Sequence, residues 1–188
     1  MIQTNLKQTA ENRLPGDPDK DTLIEQIIRV DQAGEYGAKR IYEGQLAVLG
    51  HTPAGAVIRD MLAQEEKHLE KFNTLMAARR ARPTALEPLW HMAGFALGAA
   101  TALMGKEAAM ACTVAVEDVI SEHYAEQKAQ LGEDESDLRE TISSFRDDEL
   151  HHRETSLHEG AETAAAYVPL TTAIKAGTRL AIWLSKRI

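Results

Sequence analysis

At 188 residues, with 44% hydrophobic but only 5% aromatic side chains, the chain can bury one real core and is poor in strand-forming aromatics. Its net charge of −8 argues against a nucleic-acid partner, because neutralising phosphate needs a basic surface. The single cysteine, Cys112, excludes an intramolecular disulfide and any cysteine-rich zinc or iron–sulfur site, and reads as a small buried hydrophobe.

Residues 1–21 carry neither the apolar run of a signal peptide nor the Arg-rich bias of a transit peptide, and are expected to form a flexible tail. A domain over 22–188 follows. The first helix is expected from Thr22, with Glu25 completing a capping box, to Gly50. Its apolar stripe is Ile24, Ile27, Ile28, Ala38, Ile41, Leu46 and Leu49. A second helix opens at Thr52-Pro53, read as a cap followed by proline, and runs to about Ala81, ahead of Pro83. Ile58, Met61, Leu62, Phe72, Leu75 and Met76 mark its buried face.

Residues 89–105 hold no Asp, Glu, Lys or Arg, and Gly94 and Gly98 form a GxxxG. The run is barely long enough to span a bilayer. It reads either as a crossover helix buried against the rest or as a membrane-facing one. Further helices are expected over 106–131 and 136–159, separated by an acidic loop at 132–136. A last helical segment starts near Pro169. From Thr163 onward there is no acidic side chain, while Lys175, Arg179, Lys186 and Arg187 interleave with Leu170, Ile174, Leu180, Ile182, Trp183, Leu184 and Ile188. That pattern is expected of an amphipathic helix lying on a membrane surface. No segment alternates with the period of a strand.

The chemistry lies in two Glu-x-x-His pairs, Glu65/His68 and Glu149/His152, each about 30 residues after a lone glutamate, Glu35 or Glu117. Extending the apolar stripes puts all six on buried faces, where leucine would be expected. The overlapping pair Asp148/His151 is out of phase, and Glu66 falls on the solvated side. Glu35 and Glu65 are equidistant from Gly50, as Glu117 and Glu149 are from Glu133. In two antiparallel hairpins each pair therefore meets at one level, about 22–24 Å from its turn at ~1.5 Å per residue. Four carboxylates and two imidazoles are a full ligand set for two metal ions. Burying them without a partner costs several kcal/mol each. Two Glu-x-x-His helices with two Glu helices resemble the arrangement of ferritin-like di-metal proteins, so the expected fold is all-α: a ferritin-like four-helix bundle with a crossover helix and a C-terminal amphipathic helix. Mixed carboxylate and imidazole ligation suits iron or manganese better than calcium.

The stretch Arg29-Val30-Asp31-Gln32-Ala33-Gly34-Glu35-Tyr36-Gly37-Ala38, followed by Ile41-Tyr42, resembles the signature of the demethoxyubiquinone hydroxylase family. Gln64-Glu65-Glu66-Lys67-His68 and Glu117…His123-Tyr124 resemble it too, and the likeness extends over about 22–188. His151 departs from it, standing where an acidic residue is expected. The resemblance implies an O2-dependent monooxygenase that hydroxylates the ring of a polyprenylated demethoxyubiquinol, the penultimate step of ubiquinone biosynthesis. It implies two iron ions held by Glu35, Glu65, His68, Glu117, Glu149 and His152, with Glu65 and Glu149 bridging. It also implies an external reductant, NADH, since no flavin or dinucleotide motif is present. Tyr124, and His123 beside it, are candidates for relaying an electron or proton; an ordinary core tyrosine fits position 124 as well. Tyr36 is a weaker candidate. The expected setting is a peripheral one, on the cytoplasmic face of a bacterial inner membrane or the matrix face of a mitochondrial one. A lipid-binding protein of the ubiquinone-synthesis complex would dock on 89–105, and homo-oligomerisation is left open. The rivals are a ferritin-like ferroxidase, a rubrerythrin-like peroxide reductase and a metal-stabilised scaffold.

Overall fold

The computed structural model describes residues 18–188, so most of the tail expected over 1–21 lies outside the described residues. Six α-helices follow one another: α1 (Lys20–Leu49), α2 (Ala54–Arg79), α3 (Glu87–Leu103), α4 (Lys106–Gln130), α5 (Ser136–His158) and α6 (Tyr167–Ser185). No strand occurs among the described residues. The fold is the all-helical bundle expected.

Helix α1 starts two residues before Thr22. Asp19 is its cap, its carboxylate accepting from the Thr22 N–H at 2.8 Å. Glu25 is therefore not part of a capping box and pairs with Arg29 instead, 2.6 Å away. Thr52 does not cap α2 either: its hydroxyl donates back to the Leu49 carbonyl at 2.7 Å, closing the end of α1. Helix α2 ends on Arg80 in the left-handed region (φ 54°), with the Ala81 N–H bonded to the Met76 carbonyl at 3.0 Å.

α1 with α2 and α4 with α5 make two antiparallel hairpins, and α2 packs on α5 to close the bundle. Two apolar clusters fill it. One holds Ile28, Phe72, Tyr124, Leu138 and Ile142; the other holds Leu49, Ile58, Met61, Met110 and Val114. The six carboxylate and imidazole side chains lie between them. Because α2 ends at the opposite end of the bundle from the start of α4, the chain must return along the outside, and α3 is that return leg.

Helix α3, expected either to be buried against the rest or to face a membrane, is buried along one side and exposed along the other. Gly94 and Gly98 are buried against α1. A β-carbon on Gly98 would stand 1.9 Å from the Ile41 carbonyl oxygen, and one on Gly44 would stand 2.2 Å from that of Phe95. The GxxxG is thus an internal contact with α1, where only glycine lets the backbones approach so closely. The opposite face exposes Leu89, Met92, Leu103 and Met104. Helix α6 lies on α4 and likewise exposes Val168, Leu180 and Trp183. No helix among the described residues is long and apolar enough to cross a membrane.

Candidate metal centre

Glu35 on α1, Glu65 and His68 on α2, Glu117 on α4, and Glu149 and His152 on α5 are all at most 3% exposed. The helical phase that put them inside is the one the structure adopts; Glu66 and His151 face solvent. Glu66 pairs with Lys39 at 2.9 Å. The six converge as two groups, Glu35–Glu65–His68–Glu149 and Glu65–Glu117–Glu149–His152, each with one donor atom per residue within 4.8 Å of the others. Glu65 and Glu149 belong to both. Each group takes three residues from one hairpin and one from the other.

The test of whether a metal fits is the state of these atoms. Both oxygens of Glu65, both of Glu149, Oε2 of Glu117 and Nδ1 of both histidines are buried without an aligned hydrogen bond. His68 Nδ1 lies 3.2 Å from Glu149 and 3.5 Å from Glu35, and His152 Nδ1 lies 3.0 Å from Glu65 and 3.4 Å from Glu149. Buried polar atoms are ordinarily paired, so this many orphans aimed at one space call for a cation. Four carboxylates and two neutral imidazoles balance two divalent ions in charge.

Protons share the same space. Burial and the neighbouring carboxylates push the Glu65 and Glu117 carboxyls well above the usual range. Burial would also raise Glu149, but bonds from His152 and His68 outweigh it and hold that carboxylate down to about 2. Burial lowers His68, yet Glu149 and Glu35 overcome it and lift the ring to about 10. Without a metal, then, the cluster keeps protons that an ion would displace.

Two tyrosines close the cluster. Tyr42 donates to Glu117 Oε1 at 2.9 Å, and Tyr124 donates to Glu35 Oε1. Each tyrosine stands seven positions after the lone glutamate of its own helix and reaches the glutamate of the other, a reciprocal clasp between α1 and α4. Tyr42 was visible only as part of the family resemblance; the doubled Glu-x6-Tyr spacing was the signal that could have singled it out. The histidines are fixed from outside: His68 Nε2 meets Asp148 Oδ2 at 3.1 Å, and His152 Nε2 meets Gln64 Oε1 at 2.7 Å. His123 belongs to a separate buried group. Its Nε2 is 2.9 Å from Gln127, whose amide donates to Asp31 at 2.6 Å. Burial, with Lys186 nearby, lowers the His123 ring to about 4. Tyr36 points away from the cluster and bonds His91 on α3.

Beside the centre lies an apolar cavity of about 320 Å³, bounded by α1, α3, α4 and α6. Trp90 and Leu97 line its outer wall, with Ala181 and Ile182 from α6. Its inner wall includes Ala38 and Ile120, each three residues beyond Glu35 or Glu117.

Comparison with known proteins adds an independent finding. The family described as ubiquinone biosynthesis protein COQ7 matches residues 22–185. The 3-demethoxyubiquinol 3-hydroxylase of Rhodospirillum rubrum is 58% identical across 100% of this chain and 89% of its own length. The mitochondrial NADPH-dependent 3-demethoxyubiquinone 3-hydroxylase of Dictyostelium discoideum is 53% identical, covering 98% of this chain and 87% of its own. The human protein of the same name is 55% identical, covering 88% and 78%.

Proposed function

Because the chain belongs to the ubiquinone biosynthesis protein COQ7 family, whose similar members are hydroxylases, we propose that this enzyme hydroxylates the ring of a polyprenylated demethoxyubiquinol with O2 at a di-iron centre. One observation carries the reading: six buried donors with orphaned atoms in a single space, next to an apolar cavity of ring size. Glu35 and His68 would hold one iron and Glu117 and His152 the other, with Glu65 and Glu149 shared between them. Iron bound there would supply the redox chemistry that activates O2 for insertion into a ring C–H bond.

The reaction consumes ring C–H, O2, two electrons and two protons, and yields ring C–OH and water. The chain's part is to position and to exclude. Glu35 and Glu117 are held still by Tyr124 and Tyr42, so neither carboxylate can swing to a competing partner. Ala38, Ile41, Val116 and Ile120 wall the cavity with hydrocarbon, which keeps bulk water from the ring. Tyr124, whose hydroxyl touches Glu35, is the group placed to pass a proton between cavity-side carboxylate and bundle interior. The tail would leave between α3 and α6, whose exposed faces we assign to the surface of the membrane where such a quinol resides. Lys175 and Arg179 of α6 are paired with Asp118 and Glu122 of α4, at 2.6 and 2.9 Å, so the apolar side chains of α6 rather than its charges would carry the contact with lipid. The electrons come from outside, from NADH or NADPH; the names of two relatives specify the latter for those proteins.

The deciding experiment supplies the iron-loaded, reduced protein with a demethoxyubiquinol analogue under ¹⁸O2, with NADH and NADPH in parallel. One labelled oxygen is expected on the ring by mass spectrometry. Iron oxidation with the analogue returned unchanged would instead make the protein a ferroxidase.

A further inference from the structure

The two metal positions are related by an approximate twofold that exchanges the hairpins, and the residue before each shared glutamate crosses to the opposite hairpin's histidine. Asp148, before Glu149, reaches His68; Gln64, before Glu65, reaches His152. Here the symmetry fails chemically. One histidine leans on a carboxylate, the other on a neutral amide.

The difference has consequences for the ring. A carboxylate only accepts, so when an ion displaces one proton from the His68 ring the remaining proton must sit on Nε2, leaving the lone pair on Nδ1, the atom facing Glu35 and Glu149. An anionic acceptor also makes the imidazole a stronger donor. A carboxamide can turn over and offer its N–H₂ instead, so Gln64 neither fixes the tautomer of His152 nor adds charge. Packing points the same way. Phe145, one turn before Asp148 on α5, stacks on the His68 ring at 3.9 Å between centroids and 23° between planes. The His152 ring has only an edge contact with Tyr42, at 6.2 Å.

We propose that the two metal positions are unequal, and that Asp148 makes the one held by Glu35 and His68 the tighter, filling first. This rests on the two-metal reading above and adds to it a positioning residue that touches no metal.

The test titrates the metal-free protein anaerobically with Co²⁺ alone, following heat and visible absorption. Wild type should take up two equivalents in separate steps. Asp148→Asn should weaken the first step about 10- to 100-fold and leave the second within about threefold. Gln64→Asp should tighten the second and narrow the gap. His68→Ala should remove the tighter step and His152→Ala the weaker one. Circular dichroism and a thermal melt check that each variant is folded; Asp148 is 39% exposed, so its replacement does not open the core. Two equal steps in wild type, or Asp148→Asn lowering both alike, would overturn the inference while keeping the two-metal centre. Uptake of fewer than two Co²⁺ by wild type would overturn the centre itself, and the inference with it.

Discussion

A single step along α2 separates a residue with no exposed surface from one in open solvent. Glu65 has both carboxylate oxygens orphaned inside, whereas Glu66 makes a surface pair with Lys39. Glu65→Ala should therefore abolish turnover and cost bound iron, measured by metal analysis. Glu66→Ala should retain both, since an exposed pair contributes about 0–1 kcal/mol. Comparable retention in the two variants would contradict the helical phase. This phase was legible in the sequence because a bundle helix advertises its buried stripe, and a carboxylate within the stripe stands out. Tyr42 was not legible in the same way. A buried tyrosine reads as hydrophobic filling until its hydroxyl partner is known, and Glu117 lies on a helix far along the chain.

At the scale of elements, the contact between α1 and α3 is the one most sensitive to a single methyl group. Gly98→Ala drives a β-carbon into the Ile41 carbonyl, an atom of the backbone that cannot move aside. It should destabilise the protein by about 1–3 kcal/mol or more in a denaturant titration. Gly37, on the same side of α1, lines the cavity, and a β-carbon added there would meet nothing within 4 Å. Gly37→Leu should leave the melting temperature and Co²⁺ uptake close to wild type while raising KM for the quinol analogue. A normal KM would show that the ring does not use this cavity. The GxxxG was visible beforehand, but not its partner, because glycine spacing says nothing of which helix will approach. The helix starts at Lys20 and Ala54 were missed for a local reason: Asp19 caps α1 three residues before Thr22, and Thr52 turns its hydroxyl back to the Leu49 carbonyl instead of forward onto α2.

For the whole molecule, the proton load of the centre sets how it responds to pH. Glu65 and Glu117 hold protons in the folded metal-free protein above 4.5, the value at which the unfolded chain gives them up. His68 does the same between 6.5 and about 10. All three shifts are upward, so they favour the fold at low pH and their contribution is lost as pH rises. Glu149, held at about 2, acts oppositely below 4.5, and His123, lowered to about 4, acts oppositely between there and 6.5. The metal-free protein should thus melt at lower temperature as pH is raised from about 6.5 to 8. Metal affinity should climb over the same interval, since binding expels those protons. Calorimetry in buffers of different ionisation heat would register the release; no release would mean that the cluster is already deprotonated. The overall architecture was readable because two turns and two equal arm lengths determine where four helices meet. The seating of α6 was not, since its apolar face suits a bundle and a bilayer equally.

The first hairpin finishes at one end of the bundle and the second begins at the other, so no short turn can join them and some segment had to climb the outer wall. A sequence obliged to spend those residues on connectivity put hydrocarbon on both of their sides: one seated on glycines, the other open. The exposed apolar side of α3 is thus a by-product of wiring, and shortening that span would remove it and misalign the second half at one stroke.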